Sequence, residues 1–450
     1  MDRSQLAALR ESELARFVVC NPLSQGHARA REAHWHEGVP FHWMRDWPSP
    51  FPLVVAKAEG ASLTTVDGQQ LDDFCLGDTA AMFGHSPPPV AQAITRQAAQ
   101  GISYMLPTAD ADRVGALLAS RFGLPYWQVT TTASEANRAV IRWCRGITGR
   151  RKILIFNGCY HGAVDDVFVD LQLGVPETRA SLVGQVADIT QTTTVIEFND
   201  LAALRAALST GEYACILAEP VMTNVGMVLP EPGFLEAMRN LASETGTLLV
   251  WDETHTISSG WAGHASSSGV AGDMLVIGKS IGGGVPCAAF GFTAKVAEGM
   301  KTARAALPPG HSGIGTTLSA NALAISAMRA MLEDVMTPAA YAHMIALAAK
   351  LVEGLRAVIA DLALPWHIAH VGTRVELICA PAPPRNGTEA RAAMDHPLEA
   401  LLHLMLVNRG SLLAPFHNMM LVSPQTSELQ IERLIANFAE TASMLKGKVP

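Results

Sequence analysis

The sequence is short of charge: Asp, Glu, Lys and Arg make up 16% of its 450 residues, against 49% apolar residues. With a formal net charge of −8 and no cluster of lysines or arginines, it lacks the basic surface that nucleic-acid phosphates require. Cysteine pairs are missing as well. The seven cysteines, at 20, 75, 144, 159, 215, 287 and 379, form no CxxC, which argues against a structural metal and for a reducing compartment. No apolar run approaches the ~18–20 residues that cross a bilayer. The opening MDRSQLAALRESELARF is charged and amphipathic, without the apolar core of a signal peptide. Repeats, low-complexity tracts and long charged linkers are absent too. The expectation is a cytoplasmic protein that binds neither metal, membrane nor nucleic acid. Burial of extra surface in an oligomer would reconcile its apolar content with solubility.

The length exceeds what one simple core serves, so a large and a small domain are expected. From about residue 126 short apolar strands alternate with helical stretches. The strand candidates are 126–132, 152–157, 214–219, 246–252, 273–278 and 287–293. Their apolar residues run continuously, as in strands covered by helices on both faces, and the alternation predicts an α/β domain with a largely parallel sheet. The C-terminal part reads differently. Residues 337–362 open on Thr-Pro and continue as an apolar-periodic helix; 427–446 open on Ser427 and Gln430 in capping-box spacing, with Ile431, Leu434, Ile435 and Phe438 on one face. Short strands are expected near 373–379 and 411–423. This predicts a smaller α+β domain over 331–450, joined by residues 1–80, with 81–330 forming the large domain.

Five features carry chemistry. Lys279 follows an apolar strand and precedes a glycine run in VIGKSIGGG, the place where open α/β sheets bind ligands. An amine partly buried there is a nucleophile toward an aldehyde; alone, the pattern equally fits a surface lysine. A phosphate-binding P-loop fails on spacing, because five strand-like residues, not four loop residues, separate Gly272 from Gly278. Asp252 ends the strand GTLLVWD 27 residues earlier, where a carboxylate is costly unless a cation or hydrogen bonds compensate. A protonated pyridine nitrogen would compensate it, and so would a turn that the Asp caps. In TTTASEANRAVIRWCRGITGR a strand gives way to a helix whose N-terminus suits an anion, with Thr132, Ala133 and Ser134 small enough for close approach; an ordinary Ser cap reads the same. Tyr160, in Tyr160-His161-Gly162, offers a ring to stack on a flat heterocycle, or simply packs a loop. Glu219 and Asn224 follow the strand ACILAE, and the amide suits a phenolic oxygen or plain loop chemistry.

Taken together, the segments SEANRAVIRWCRGITGRRKILIFNGCYHG, EPVMTNVGMVLPEPGFLEAMRNLASETGTLLVWDE and GKSIGGGVP resemble the class III (subgroup II) aminotransferases. These are pyridoxal 5′-phosphate enzymes of fold type I, and the likeness is nearest to glutamate-1-semialdehyde aminomutase and the β-phenylalanine aminotransferases. The likeness implies a mostly parallel seven-stranded sheet in the large domain and a smaller α+β domain. It implies that Lys279 binds the cofactor as a Schiff base and serves as acid–base, that Asp252 pairs with the pyridine nitrogen, and that Ala133 and Ser134 hold the phosphate. Tyr160 would stack on the ring, Asn224 would reach its phenolic oxygen, Glu219 would join the cofactor-binding set, and Thr254 would pack under the ring where the family more often has Val. GIGTTLSANALA (313–324) resembles the segment that lends a threonine across a homodimer interface, which points to Thr317. The implied activity is transfer of an amino group from an amine or amino acid to an oxo acid; an aminomutase, racemase or lyase on the same scaffold is the alternative.

The departures are specific. Ala133 stands where the family has Gly, which requires that its φ not be positive. After Asp252-Glu253 the usual Gly-Phe-Gly-Arg-type continuation is replaced by His255-Thr256-Ile257-Ser258-Ser259. Trp43 falls where some relatives present a carboxylate-binding arginine, with Arg45 two residues on, and these two, with His417, are the candidate substrate-contacting residues. Near the C-terminus His417 and Asn418 take the place of another such arginine. Losing a guanidinium fork at those places leaves the substrate's carboxylate without its usual grip.

Overall fold

A computed structural model describes residues 3–308, 310 and 313–446. The chain forms two compact units. The larger takes Pro87–Pro338 with Pro384–Ala392; the smaller takes the chain up to Ser86, Ala339–Pro383 and the residues from Ala393 onward.

The larger unit is built on a seven-stranded sheet. Its strands are β1 (Tyr126–Thr130), β2 (Lys152–Phe156), β3 (Thr193–Ile196), β4 (Tyr213–Ala218), β5 (Leu248–Asp252), β6 (Met274–Ile277) and β7 (Ala288–Phe292). They lie in the order β1-β7-β6-β5-β4-β2-β3. Every neighbouring pair from β6 through β3 is parallel; β7 alone runs against both its neighbours. The fold is therefore the α/β arrangement, mostly parallel and seven-stranded, that the sequence led us to expect. Strands β4, β5 and β6 are buried along their whole length, which is why their apolar residues run unbroken. The strand that sequence patterning misses is β3. Its TTVI is short and half polar, and it lies at the sheet's edge.

Helix Ala133–Thr148 joins β1 to β2. Thr132 caps it by accepting from the Glu135 N–H (3.2 Å), and Gly149 stops it at φ 68°. Val140 and Cys144 on its inner face are buried against β2, β4 and β6 residues, with Ile147 packed at the margin. Each such fully buried side chain contributes roughly 1.5–3 kcal/mol. Segment 384–392 belongs to this unit because Thr388 donates to Glu197 and accepts from Asn157 (3.0 Å). Gly387 lies so close to the Asn157 carbonyl that a Cβ there would stand 1.9 Å from it.

The smaller unit is α+β. Helices Pro338–Asp361, His396–Val407 and Glu428–Leu445 enclose a core of Leu351, Leu402, Leu434 and Phe438. The Ser427–Gln430 capping box is present in full. Gln70–Asp73 pairs with Ser411–Leu412, and Arg374–Ile378 pairs with His367–Val371 and Met419–Leu421. Among the described residues no single helix is long and apolar enough to cross a membrane, and all seven cysteines are free thiols.

Candidate active site

The C-terminal ends of β5 and β6 lie side by side, with Asp252 opposite Val276. Asp252 closes β5; Lys279 follows β6 after Gly278. Fully buried, the Asp252 carboxylate is met from three sides. Asn137 Nδ2 and His161 Nδ1 donate to Oδ2 at 2.8 and 2.9 Å. The Thr254 N–H and hydroxyl donate to Oδ1 at 3.0 and 2.5 Å. Burial opposes ionisation here, but the His161 hydrogen bond and charge, with the Thr254 and Asn137 donors, outweigh it and draw the carboxyl down to about 2. His161 is pushed well above the ordinary histidine value: burial works against its charge, and Cys159 and Asp252 overcome it. Asp252 is thus held as an anion at neutral pH, at a strand end.

Lys279 is half-buried and adopts φ 51°, a left-handed conformation that costs a lysine roughly 1–2 kcal/mol and signals a constrained functional position. Its Nζ lies 2.5 Å from His255 Nε2. His255 Nδ1 is 2.7 Å from Thr223 Oγ1, and the Thr223 hydroxyl donates to Glu219. Asn224 Nδ2 donates to the other Glu219 oxygen at 2.8 Å. Burial is the main reason that the Glu219 carboxyl is raised to about 7. The His161 charge and the Thr223 and Asn224 donors pull it down, and the Asp252 charge pushes it further up.

At the head of helix Ala133–Thr148, Ala133 has no positive φ, so the alanine meets the condition its place imposes. It fills the space beside Gly278, where an added Cβ would stand 3.0 Å from that of Ala133. Ser134 Oγ accepts from the Ala163 N–H at 3.0 Å. Gly162, at φ 84°, presses so closely that a Cβ would fall 2.2 Å from Ser134 Oγ. Tyr160 is 46% exposed and meets Phe168 edge-on. Thr317 is exposed in a turn; its neighbour Thr316 lies 3.4 Å from Thr131, oxygen to oxygen.

The structure therefore gathers Ala133, Ser134, Tyr160, Glu219, Asn224, Asp252, Thr254 and Lys279 in one unit, mostly on the loops after successive strands. Trp43, Arg45 and His417 belong to the other. There Arg45 Nη1 donates to the Pro50 carbonyl (3.4 Å), Trp43 is exposed, and His417 pairs with the buried Glu376 (3.0 Å). Sequence reasoning assigned no role to Asn137, His161, Thr223 or His255. For Asn137, His161 and Thr223 a signal existed, since each stands within a motif quoted for its neighbours, and His255 opens the segment that departs from the family pattern. The substituted segment after Asp252-Glu253 forms a short 3-10 turn, Thr256–Ser259. It is anchored on Glu253, which accepts from Thr256 and from the His264 and Ala265 N–H groups.

The donor set fits pyridoxal phosphate: an amine just past a strand end, a buried anion for a ring nitrogen, a half-exposed tyrosine ring, and the first turn of a helix for a phosphate. Comparison with known proteins agrees. The model of the class-III aminotransferase family matches residues 44–417. Glutamate-1-semialdehyde 2,1-aminomutase of Anaeromyxobacter sp. (strain Fw109-5) is 32% identical over 408 residues, 87% of this chain and 92% of that protein. The crystal structure of a glutamate-1-semialdehyde-aminomutase from Pseudomonas aeruginosa PAO1 matches at TM-score 0.97 and 46% identity, with 99% of each chain covered; a variant of it has been solved in complex with PMP. A β-phenylalanine aminotransferase from Variovorax paradoxus matches at TM-score 0.86 and 28% identity over 97% of each chain. The chain belongs to the class-III aminotransferase family and is a pyridoxal phosphate enzyme.

Proposed function

We propose that this enzyme transfers an amino group from an amine or amino acid to an oxo acid, with Lys279 as the acid–base. The observation that carries the reading is an ionised Asp252 at the end of one strand with Lys279 just past the end of the adjacent parallel strand. Pyridoxal phosphate supplies an aldehyde that condenses with amines and a ring that takes up the electron pair left when a proton departs. The chain's residues do the rest. Asp252 keeps its charge toward the ring nitrogen, and His161, Asn137 and Thr254 hold that carboxylate in one orientation. The N–H groups of Ala133 and Ser134 receive the phosphate, with Thr317 contributed by a second copy of the chain. Tyr160 covers one ring face. Asn224, fixed by Glu219, faces the phenolic oxygen. Lys279 Nζ lifts the proton from the substrate's α-carbon and returns it elsewhere. The free thiols support a reducing, cytoplasmic setting, and the likeness of 313–324 to a segment that reaches across a dimer interface supports a homodimer.

An intramolecular aminomutase is the second reading, favoured by the name that the Anaeromyxobacter and Pseudomonas relatives carry. Adding an amine donor without an oxo acid separates the two. The transaminase is expected to stop after one turnover per site, with loss of the visible absorption band; continued turnover rejects it. Lys279→Ala should abolish turnover while the protein still holds the cofactor non-covalently. Ordinary rates from that variant would remove Lys279 from its role.

A further inference from the structure

Behind Lys279, three side chains stand in line, and with Glu219 ionised one assignment of hydrogens satisfies every link. Thr223 has a single hydroxyl proton and donates it to Glu219 Oε2. Its oxygen therefore accepts, so His255 Nδ1, 2.7 Å away, carries a hydrogen. In the neutral ring His255 Nε2 is then the acceptor, and it lies 2.5 Å from Lys279 Nζ. Thr223, Glu219 and His255 are 0%, 5% and 7% exposed, so bulk water does not interrupt the line. Asn224 pins the far carboxylate oxygen at 2.8 Å.

We propose that His255 and Thr223 form a proton wire joining the Lys279 amine to the buried Glu219 carboxylate, which stores the proton that Lys279 takes from the substrate. The inference rests on the acid–base role given to Lys279 above and adds where the proton waits between its removal from the substrate and its return. The transfer balances without a co-reactant. Nζ–H breaks as Nε2–H forms, Nδ1–H breaks as a Thr223 O–H forms, and the original Thr223 O–H breaks as Oε2–H forms. Glu219 suits the terminus because burial and the Asp252 charge, set against the His161 charge and the Thr223 and Asn224 donors, keep its carboxyl near about 7, where it both takes and yields a proton at neutral pH. The substitution after Asp252-Glu253 that places a histidine at 255 thereby acquires a function, with His255, Thr223 and Glu219 as positioning residues that act through Lys279.

The first test uses cofactor-free protein and so does not depend on the reaction. Acetylation of Lys279 by acetic anhydride is followed by mass spectrometry from pH 5 to 9 in the wild type and Glu219→Gln. Above pH 7 the ionised carboxylate, acting through the wire, slows acylation of Lys279. Glu219→Gln is therefore expected to label about tenfold faster at pH 8 and at the same rate at pH 5, where both side chains are neutral. Equal rates at pH 8 overturn the proposal, as does a tenfold difference that persists at pH 5. The second test uses the loaded enzyme. Thr223→Val cuts the wire at constant size and is expected to lower kcat at least about tenfold with KM unchanged, and Thr223→Ser to restore it. His255→Gln gives a second break should the valine variant fold poorly. Wild-type kcat in either broken variant, or no rescue by serine, overturns the wire. A protein that takes up no pyridoxal phosphate refutes the proposed function instead, and the labelling ratio still decides the wire.

Discussion

Replacing Asp252 with Asn removes one charge and almost no volume, so its effect reads the buried Asp252–His161 pair directly. The carboxyl falls from its ordinary 3.8 to about 2 in the folded protein, nearly two units. That corresponds to about 2.5 kcal/mol of preference for the ionised over the neutral form, the form that Asn imitates. Because the folded value is depressed, this contribution is complete above 3.8 and is lost as pH falls through about 2. His161 moves the other way: its contribution is complete below the ordinary 6.5 and is lost only as pH climbs through its raised folded value. At pH 7 the pair is therefore intact. Melting of the cofactor-free Asp252→Asn variant at that pH should drop by about 5–10 °C, taking ~2–4 °C per kcal/mol for a unit of this size. His161→Phe should fall similarly. The double variant should fall by clearly less than the two together, because each single change strands the same partner in the interior. An unchanged melting temperature in Asp252→Asn, or strictly additive losses, would refute the pairing as the source of the charge.

Three more outcomes follow from the same geometry. Glu219 has a raised carboxyl, so the folded protein loses stability as pH climbs from 4.5 to about 7; Glu219→Gln should relieve up to about 3 kcal/mol at pH 8 and nothing at pH 4, read as a pH-dependent rise in melting temperature. Gly162→Ala combines φ 84° with a Cβ 2.8 Å from the Ser134 Cα; it should cost about 1–3 kcal/mol and loosen cofactor retention, measured by dialysis and visible absorbance, and retention equal to wild type would contradict the close approach. Arg45→Ala tests the substrate role drawn from the family likeness: KM for a carboxylated substrate should rise about tenfold while an amine without a carboxylate is unaffected, and an equal response of both would remove Arg45 as the anchor.

The large sheet was legible because its central strands are covered on both faces. Such strands must be apolar throughout, so YACILA and LLVWD announce themselves in one dimension. The edge strand TTVI was not legible, since a half-polar segment of four residues carries no periodicity to detect. Ser427 and Gln430 marked a helix start because capping is local chemistry, complete within four residues. Lys279 and Asp252 were readable for a related reason: a charged residue that ends an apolar strand is an anomaly wherever the chain goes next. Their partners were not. Asn137 reaches Asp252 across 115 positions of sequence and His161 across 91, and no local pattern encodes so distant a hydrogen bond.

From strand patterning and from ordered motifs that resemble a known family, the sequence by itself determined the fold class and the cofactor, because those signals lie in side chains within short segments. Only the tertiary structure decided which groups keep Asp252 ionised and which join Lys279 to Glu219. It also decided that Ala133 fits where the family has glycine. Those answers depend on burial and on contacts between segments far apart in the chain, and electrostatics in a buried site is set by neighbours in space rather than in sequence.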